Sequence, residues 1–150
     1  MKRALGLLSV LAMAITAFAT PAFAKGTIGL RGGLALDPDM FLIGLHFRTD
    51  PLGDNLYFVP SVEAGFGDAT MIAGNADLHY VFETSSKLAP YIGGGLTVNW
   101  FDFDNGSDSD TEVGGSILGG IKLTPKMFLE VKLGLGDVPD AKFLVGWNLR

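Results

Sequence analysis

The chain has 150 residues, a formal charge of −5, 48% hydrophobic residues, 21 glycines and no cysteine. The absence of cysteine excludes disulfides, thiol catalysis and a lipidated N-terminal cysteine. The acidic balance argues against a nucleic-acid partner, because phosphate binding needs a basic face.

The N-terminus reads as a secretory signal peptide. Met1-Lys2-Arg3 is basic, residues 4–18 are almost wholly apolar, and Ala22-Phe23-Ala24 forms a small-x-small cleavage site after Pro21. Cleavage after Ala24 leaves a single domain, residues 25–150, of 126 residues and formal charge −7. No segment carries a helical repeat of apolar residues. None reaches the ~18 uninterrupted apolar residues that a membrane-spanning helix requires. An all-β fold is what remains.

Turn signals cut the domain into eight strand-like runs. The first, about 26–36, sets Ile28, Leu30, Leu34 and Leu36 against Arg31, and ends at Asp37-Pro38-Asp39. The second, about 40–48, sets Phe41, Ile43, Leu45 and Phe47 against His46 and Arg48, and is followed by the polar stretch 49–55. The third, about 56–66, sets Phe58, Val62, Ala64 and Phe66 against Ser61 and Glu63. Pro60 cannot donate to a ladder, which places it near a rim or a bulge.

After the turn at 67–69, the fourth run places Ile72, Ala76, Leu78, Tyr80 and Phe82 opposite Asn75, Asp77 and His79. A polar turn at 83–89 leads to the fifth, where Ile92, Leu96, Val98 and Trp100 oppose Tyr91, Thr97 and Asn99. The segment 102–111 is the longest and most acidic loop. The sixth run, about 112–123, sets Val113, Ile117, Ile121 and Leu123 against Glu112, Ser116 and Lys122. Thr124-Pro125-Lys126 is a tight turn into the seventh, about 127–135, where Met127, Leu129, Val131, Leu133 and Leu135 oppose Glu130 and Lys132. A linker at 136–140 leads to the last run, with Phe143, Val145, Trp147 and Leu149 opposite Lys142, Asn148 and Arg150.

Eight strands in successive hairpins predict an up-and-down antiparallel barrel, since closure removes the exposed edges. One face of all eight carries no charge. The other collects Arg31, His46, Arg48, Glu63, Asp77, His79, Glu112, Lys122, Glu130, Lys132, Lys142 and Arg150. A soluble barrel turns its apolar face inward; a membrane barrel inverts this and keeps its charges in the lumen. The polar face is also dense in glycine, at positions 29, 33, 44, 65, 93, 95, 114, 120, 134 and 146. Glycine weakens a solvent-exposed strand, but it suits a crowded lumen in which long side chains need small neighbours. Several runs also reach the ~9–11 residues of a tilted membrane strand. The expected fold is an eight-stranded transmembrane β-barrel. An even strand count puts both chain ends in the periplasm, so 102–111 faces outward and 124–126 inward.

The run Ala76-Asp77-Leu78-His79-Tyr80-Val81-Phe82, with Pro90-Tyr91-Ile92-Gly93-Gly94-Gly95-Leu96 after the turn, resembles the outer membrane protein beta-barrel domain family of small eight-stranded bacterial barrels. The final Val145-Gly146-Trp147-Asn148-Leu149-Arg150 is similar to the C-terminal signal read by the barrel-assembly machinery, which normally ends on Phe or Trp. The resemblance implies an exported protein of the Gram-negative outer membrane, in contact with lipid.

As site residues, Arg31, Arg48, Glu63, Asp77, His79, Glu112, Lys122, Glu130 and Lys132 are expected to form a structural charge network filling the lumen. Neither a catalytic residue, a cofactor nor a metal is assigned. His46 and His79 lack a third ligand and an HxH or HxxxH spacing. Ser61, Glu63 and His79 on adjacent strands outline a hydrolase constellation, without a nucleophile motif to support it. Asp102, Asp104 and Asp108 alternate, but Gly106 is one position too early for an EF-hand loop. The function expected is a non-catalytic structural or surface-interaction barrel, with an extracellular partner reached through 102–111. The alternatives are a soluble periplasmic or secreted barrel binding an apolar ligand, and a lipid-modifying barrel enzyme.

Overall fold

The computed structural model describes residues 26–37, 39–68, 70–102, 109–136 and 138–149. Residues 1–25, which include the expected signal peptide, and the centre of the acidic loop, 103–108, lie outside the described residues. Eight strands, β1 (Thr27–Leu36), β2 (Met40–Arg48), β3 (Leu56–Gly67), β4 (Thr70–Val81), β5 (Ala89–Asp102), β6 (Ser109–Lys122), β7 (Met127–Gly136) and β8 (Ala141–Asn148), follow one another in a closed ring. Every neighbouring pair is antiparallel, and β1 closes on β8 from Gly29↔Asn148 to Leu36↔Ala141. No sheet edge is left over, apart from the hairpin ends that project past their neighbours.

The alternation read from the sequence holds, and the apolar face is outside. Phe41, Ile43, Leu45, Leu96, Val113 and Ile117 are among the exposed large apolar side chains, whereas Arg31, Glu63, Asp77, Glu130, Lys132 and Lys142 are buried. That inversion removes the soluble barrel with an apolar cavity from consideration. Aromatic side chains ring both ends of the wall, with Phe58, Tyr80 and Trp147 at one end and Phe41, Phe66, Trp100 and Phe143 at the other. From Ile92, which pairs with Tyr80, to Trp100 is eight residues of β5. That is about 26 Å of strand, or about 20 Å along the axis at a tilt of ~40°. Phe47, read from the sequence on the apolar face, departs from the exposed outer wall. It is only 8% exposed, because its ring lies over Gly26.

The structure changes one boundary of the sequence reading and adds detail at two further places. β6 begins at Ser109, not 112, because Ser109, Asp110 and Thr111 pair with Asp102, Phe101 and Trp100. The acidic loop is correspondingly shorter than 102–111. Residues 49–55 are compacted by a Leu52 N–H bond to the Leu56 carbonyl at 2.7 Å and by Asn55 at φ 62°, a left-handed value that Asn tolerates. Pro60 lies inside β3, paired with Ala76 of β4, one residue past the last β2–β3 pair, His46↔Ser61. Phe58 bonds Thr49 through both its N–H and its carbonyl, so Pro60, of the same parity, turns its missing donor to that same side. The β2–β3 ladder stops where proline cannot serve it.

The two glycine populations separate by face. A Cβ on lumen-facing Gly120 would overlap the Tyr91 ring, on Gly95 the Asp77 carboxylate, and on Gly146 the Phe128 ring. On the outer face, Gly74 has nothing within 4 Å, and Gly115 and Gly119 meet only ordinary contacts. At Gly120 and Gly146 the missing Cβ makes room for a lumen ring, whereas at Gly33 and Gly93 it makes room for a backbone carbonyl of the neighbouring strand. Gly120→Val is expected to lose folded barrel, by displacing Tyr91 at an overpacking cost of about 1–3 kcal/mol or more. Gly74→Val should fold like the parent. Heat-modified mobility in a semi-native gel measures both, and equal loss at the two positions would contradict the steric account.

Candidate functional site in the barrel lumen

The lumen is filled in three layers. At the end that carries the 37–39, 68–69 and 137–140 connections lies an apolar plug of Ala35, Met40, Leu42, Met71, Ala73, Phe101 and Leu144. Val138, from the β7–β8 connection, is buried against the Gly114 and Gly134 positions and helps close this end. The inward apolar side chains did not stand out in the sequence, because a single Leu or Met among glycines and polar residues looks like an imperfect alternation.

The middle layer is ionic. Lys142 Nζ donates to Glu63 Oε2 at 2.8 Å, and Arg31 Nη1 approaches Glu63 Oε1 at 3.4 Å and Glu130 Oε1 at 3.8 Å. Lys132 Nζ donates to Asp77 Oδ2 at 2.6 Å and lies 3.3 Å from Asn75 Oδ1. Asn75 in turn donates to Ser61 Oγ at 3.1 Å and accepts from Thr97 Oγ1 at 2.9 Å. Glu63, Asp77 and Asn99 are fully enclosed. Charges so far from water persist only when paired, and the pairs here join strands distant in sequence, 79 residues apart for Lys142 and Glu63. Lys142 was grouped on the polar face from sequence, but its partnership with Glu63 could not be read there.

The third layer, toward the 49–55, 82–88 and 123–126 connections, is aromatic and basic. His79 stacks on Tyr91 with ring centres 5.0 Å apart, and His46 and Tyr91 each meet Phe128 edge-on at 5.2 and 6.4 Å. Tyr91 donates its hydroxyl to Glu130 Oε2 at 2.8 Å, and His46 Nε2 pairs with Asn148 Oδ1 at 2.8 Å. This layer explains the Pro90–Leu96 motif physically. Tyr91 spans the lumen to reach Glu130, and Gly93 and Gly95 leave room beside it for the neighbouring strand and Asp77.

Arg31, Glu63, Asp77, Glu130 and Lys132 thus share one layer. His79 lies 3.9 Å from Glu130, too long for a hydrogen bond. Arg48 and Lys122 join no ion pair among the described residues. They lie instead over one face partner, Tyr57, at 4.8 and 5.4 Å from its ring centre. Glu112 lies far from them, ten residues along β6 from Lys122.

The hydrolase constellation is not assembled. Ser61 pairs with Asn75, and His79 lies four residues farther along β4, about 13 Å away. Glu63 is held by Lys142 and Arg31. Among the described residues no three His, Asp or Glu side chains cluster as metal ligands. The Asp104 and Asp108 positions of the cation reading lie outside the described residues.

The sequence matches no family model and no curated protein. In three dimensions the barrel is similar to the N-terminal β-barrel domain of OprF from Pseudomonas aeruginosa, with 20% identity and a TM-score of 0.61 over 83% of this chain and all of that domain. It is also similar to Neisserial surface protein A, with 17% identity and a TM-score of 0.56 over 81% of this chain and 92% of that one. Identities this low speak to the fold alone. That fold is the closed eight-stranded antiparallel barrel of the small outer-membrane proteins.

Proposed function

We propose that this chain is an integral outer-membrane barrel of a Gram-negative bacterium, with a structural or surface-interaction role and no catalytic activity. The observation that carries the reading is the inversion of polarity: an apolar outer wall bounded by aromatic girdles, around a lumen of buried ion pairs. Water does not reward such a surface, and hydrocarbon does. On this reading the partners are outer-membrane lipid along the wall and the barrel-assembly machinery at β8. An extracellular partner would meet the acidic 102–111 segment. Residues Arg31, Glu63, Asp77, Glu130, Lys132 and Lys142 act as a lock that holds strands of opposite walls together.

The location is tested by fractionation and by one outward substitution. The protein should stay in the membrane pellet through salt and alkaline washes and leave it only in detergent. Release into buffer alone would sink the proposal. Ile117, 51% exposed on the outer face, is the discriminating position. Ile117→Arg should cost about 2–4 kcal/mol in a bilayer, whereas on a water-facing surface it would be close to neutral.

The lock is tested at the Lys132–Asp77 pair. Lys132→Met strands a buried carboxylate and should lower stability by about 3–5 kcal/mol. Adding Asp77→Asn removes the stranded charge and should recover most of the loss. Urea unfolding in lipid vesicles, followed by tryptophan fluorescence, gives both values. A double variant no better than the single one would show that the pair contributes by packing and not by charge.

A further inference from the structure

The mouth at the end of the third layer holds more positive charge than its acids can balance. A cavity of about 20 Å³ lies there, lined among others by Arg31, Arg48, Lys122, His46, His79 and Tyr91. Arg48 and Lys122 are the last residues of β2 and β6, four strands apart in a ring of eight and so on opposite walls. Both nevertheless reach the ring of Tyr57, which draws two like charges together across the opening. Beneath them Arg31 is 3% exposed, and its Nε and Nη2 meet no protein acceptor. Of its carboxylate neighbours, Glu63 also pairs with Lys142, and Glu130, whose Oε2 accepts from Tyr91, leaves one carboxylate charge against the three cations of the mouth. The acids on the connections of this end, Asp50, Asp54 and Glu83, are exposed and form no ion pair with Arg48 or Lys122 among the described residues. The two histidines add no negative charge in either protonation state.

Cations held close in a low-dielectric mouth repel each other strongly, and a ring face offsets only part of that. We propose that the mouth binds a single monatomic anion, chloride in ordinary media, between Arg31, Arg48 and Lys122. The size of the cavity fits a monatomic ligand without moving a side chain. About 20 Å³ admits one sphere near the size of water, and a tetrahedral phosphate or sulfate needs more. The bound anion supplies the missing acceptor for Arg31 and balances the pair over Tyr57. The inference rests on the lumen geometry alone, so it stands or falls separately from the cellular role.

Bromide replaces chloride as the probe. Crystals of the detergent-purified protein, grown in gluconate and soaked in sodium bromide, should show an anomalous peak between the three cationic side chains. In solution, chloride NMR line broadening by the protein should be reversed by bromide. Lys122→Gln and Arg48→Gln, each checked for folding by heat-modified mobility, should each weaken chloride binding about tenfold or more. Both sit at strand ends and are partly exposed, so neither change opens the ionic layer. Density in the mouth without anomalous signal would identify water and overturn the proposal. So would folded Lys122→Gln and Arg48→Gln proteins that broaden chloride as the parent does.

Discussion

The width of an eight-stranded barrel is the constraint on which the rest of this molecule depends. Such a lumen has room for side chains and little else, so a large residue is matched by a glycine at its register position on the adjacent strand. Tyr91 requires Gly120, Phe128 requires Gly146 and Asp77 requires Gly95. The glycine pattern is therefore not a general looseness of the chain. It is a mould whose shape fixes which rotamers the lumen residues can take. Once those positions are fixed, Lys132 can meet Asp77 and Lys142 can meet Glu63 directly.

Pairing then supplies what the glycines take away. A strand with three or four glycines has weak β-propensity and loses more backbone entropy on folding. In β6, Gly114, Gly115, Gly119 and Gly120 leave few side chains to hold the strand. Its neighbours compensate by contacts across the lumen. Lys132 of β7 reaches Asp77 of β4, Lys142 of β8 reaches Glu63 of β3, and Tyr91 of β5 reaches Glu130 of β7. These links cross the ring and do not run around it. They specify which strands face each other, a property that the hydrogen-bonded ladder alone leaves to the register.

Much of this was legible in the sequence, for one physical reason. A side-chain period of two sorts residues by face regardless of what the face meets, so Ile72–Phe82 and Ile92–Trp100 declared their two sides at once. Glycine beside charge indicated which side was crowded. The partners could not be read, because pairing across a lumen depends on strand stagger, and Lys142 with Glu63 are no nearer in sequence terms than many other cation–anion pairs. The apolar side chains of the third layer were also hidden. Phe128, between Met127 and Leu129, and Leu118, between Ile117 and Gly119, sit in runs that look uniformly apolar, and only the closed ring shows that they point inward.

The layering along the axis follows from the same constraint. An ionic layer open at both ends would exchange its pairs for water and lose its cross-links. At one end, Met71, Leu42, Leu144 and Val138 exclude water with apolar side chains. At the other, the seal is aromatic and cationic, with Tyr91, Phe128 and two histidines beneath Arg48 and Lys122. The two seals are not equivalent. Apolar groups can close a mouth without leaving a charge behind, but long basic side chains close it only by carrying their charge inward. An asymmetric barrel of this kind has one lumen mouth sealed without charge and one with an unmet demand for an anion. That asymmetry arises from the choice of Arg and Lys at the ends of β2 and β6, which no requirement of strand pairing imposes.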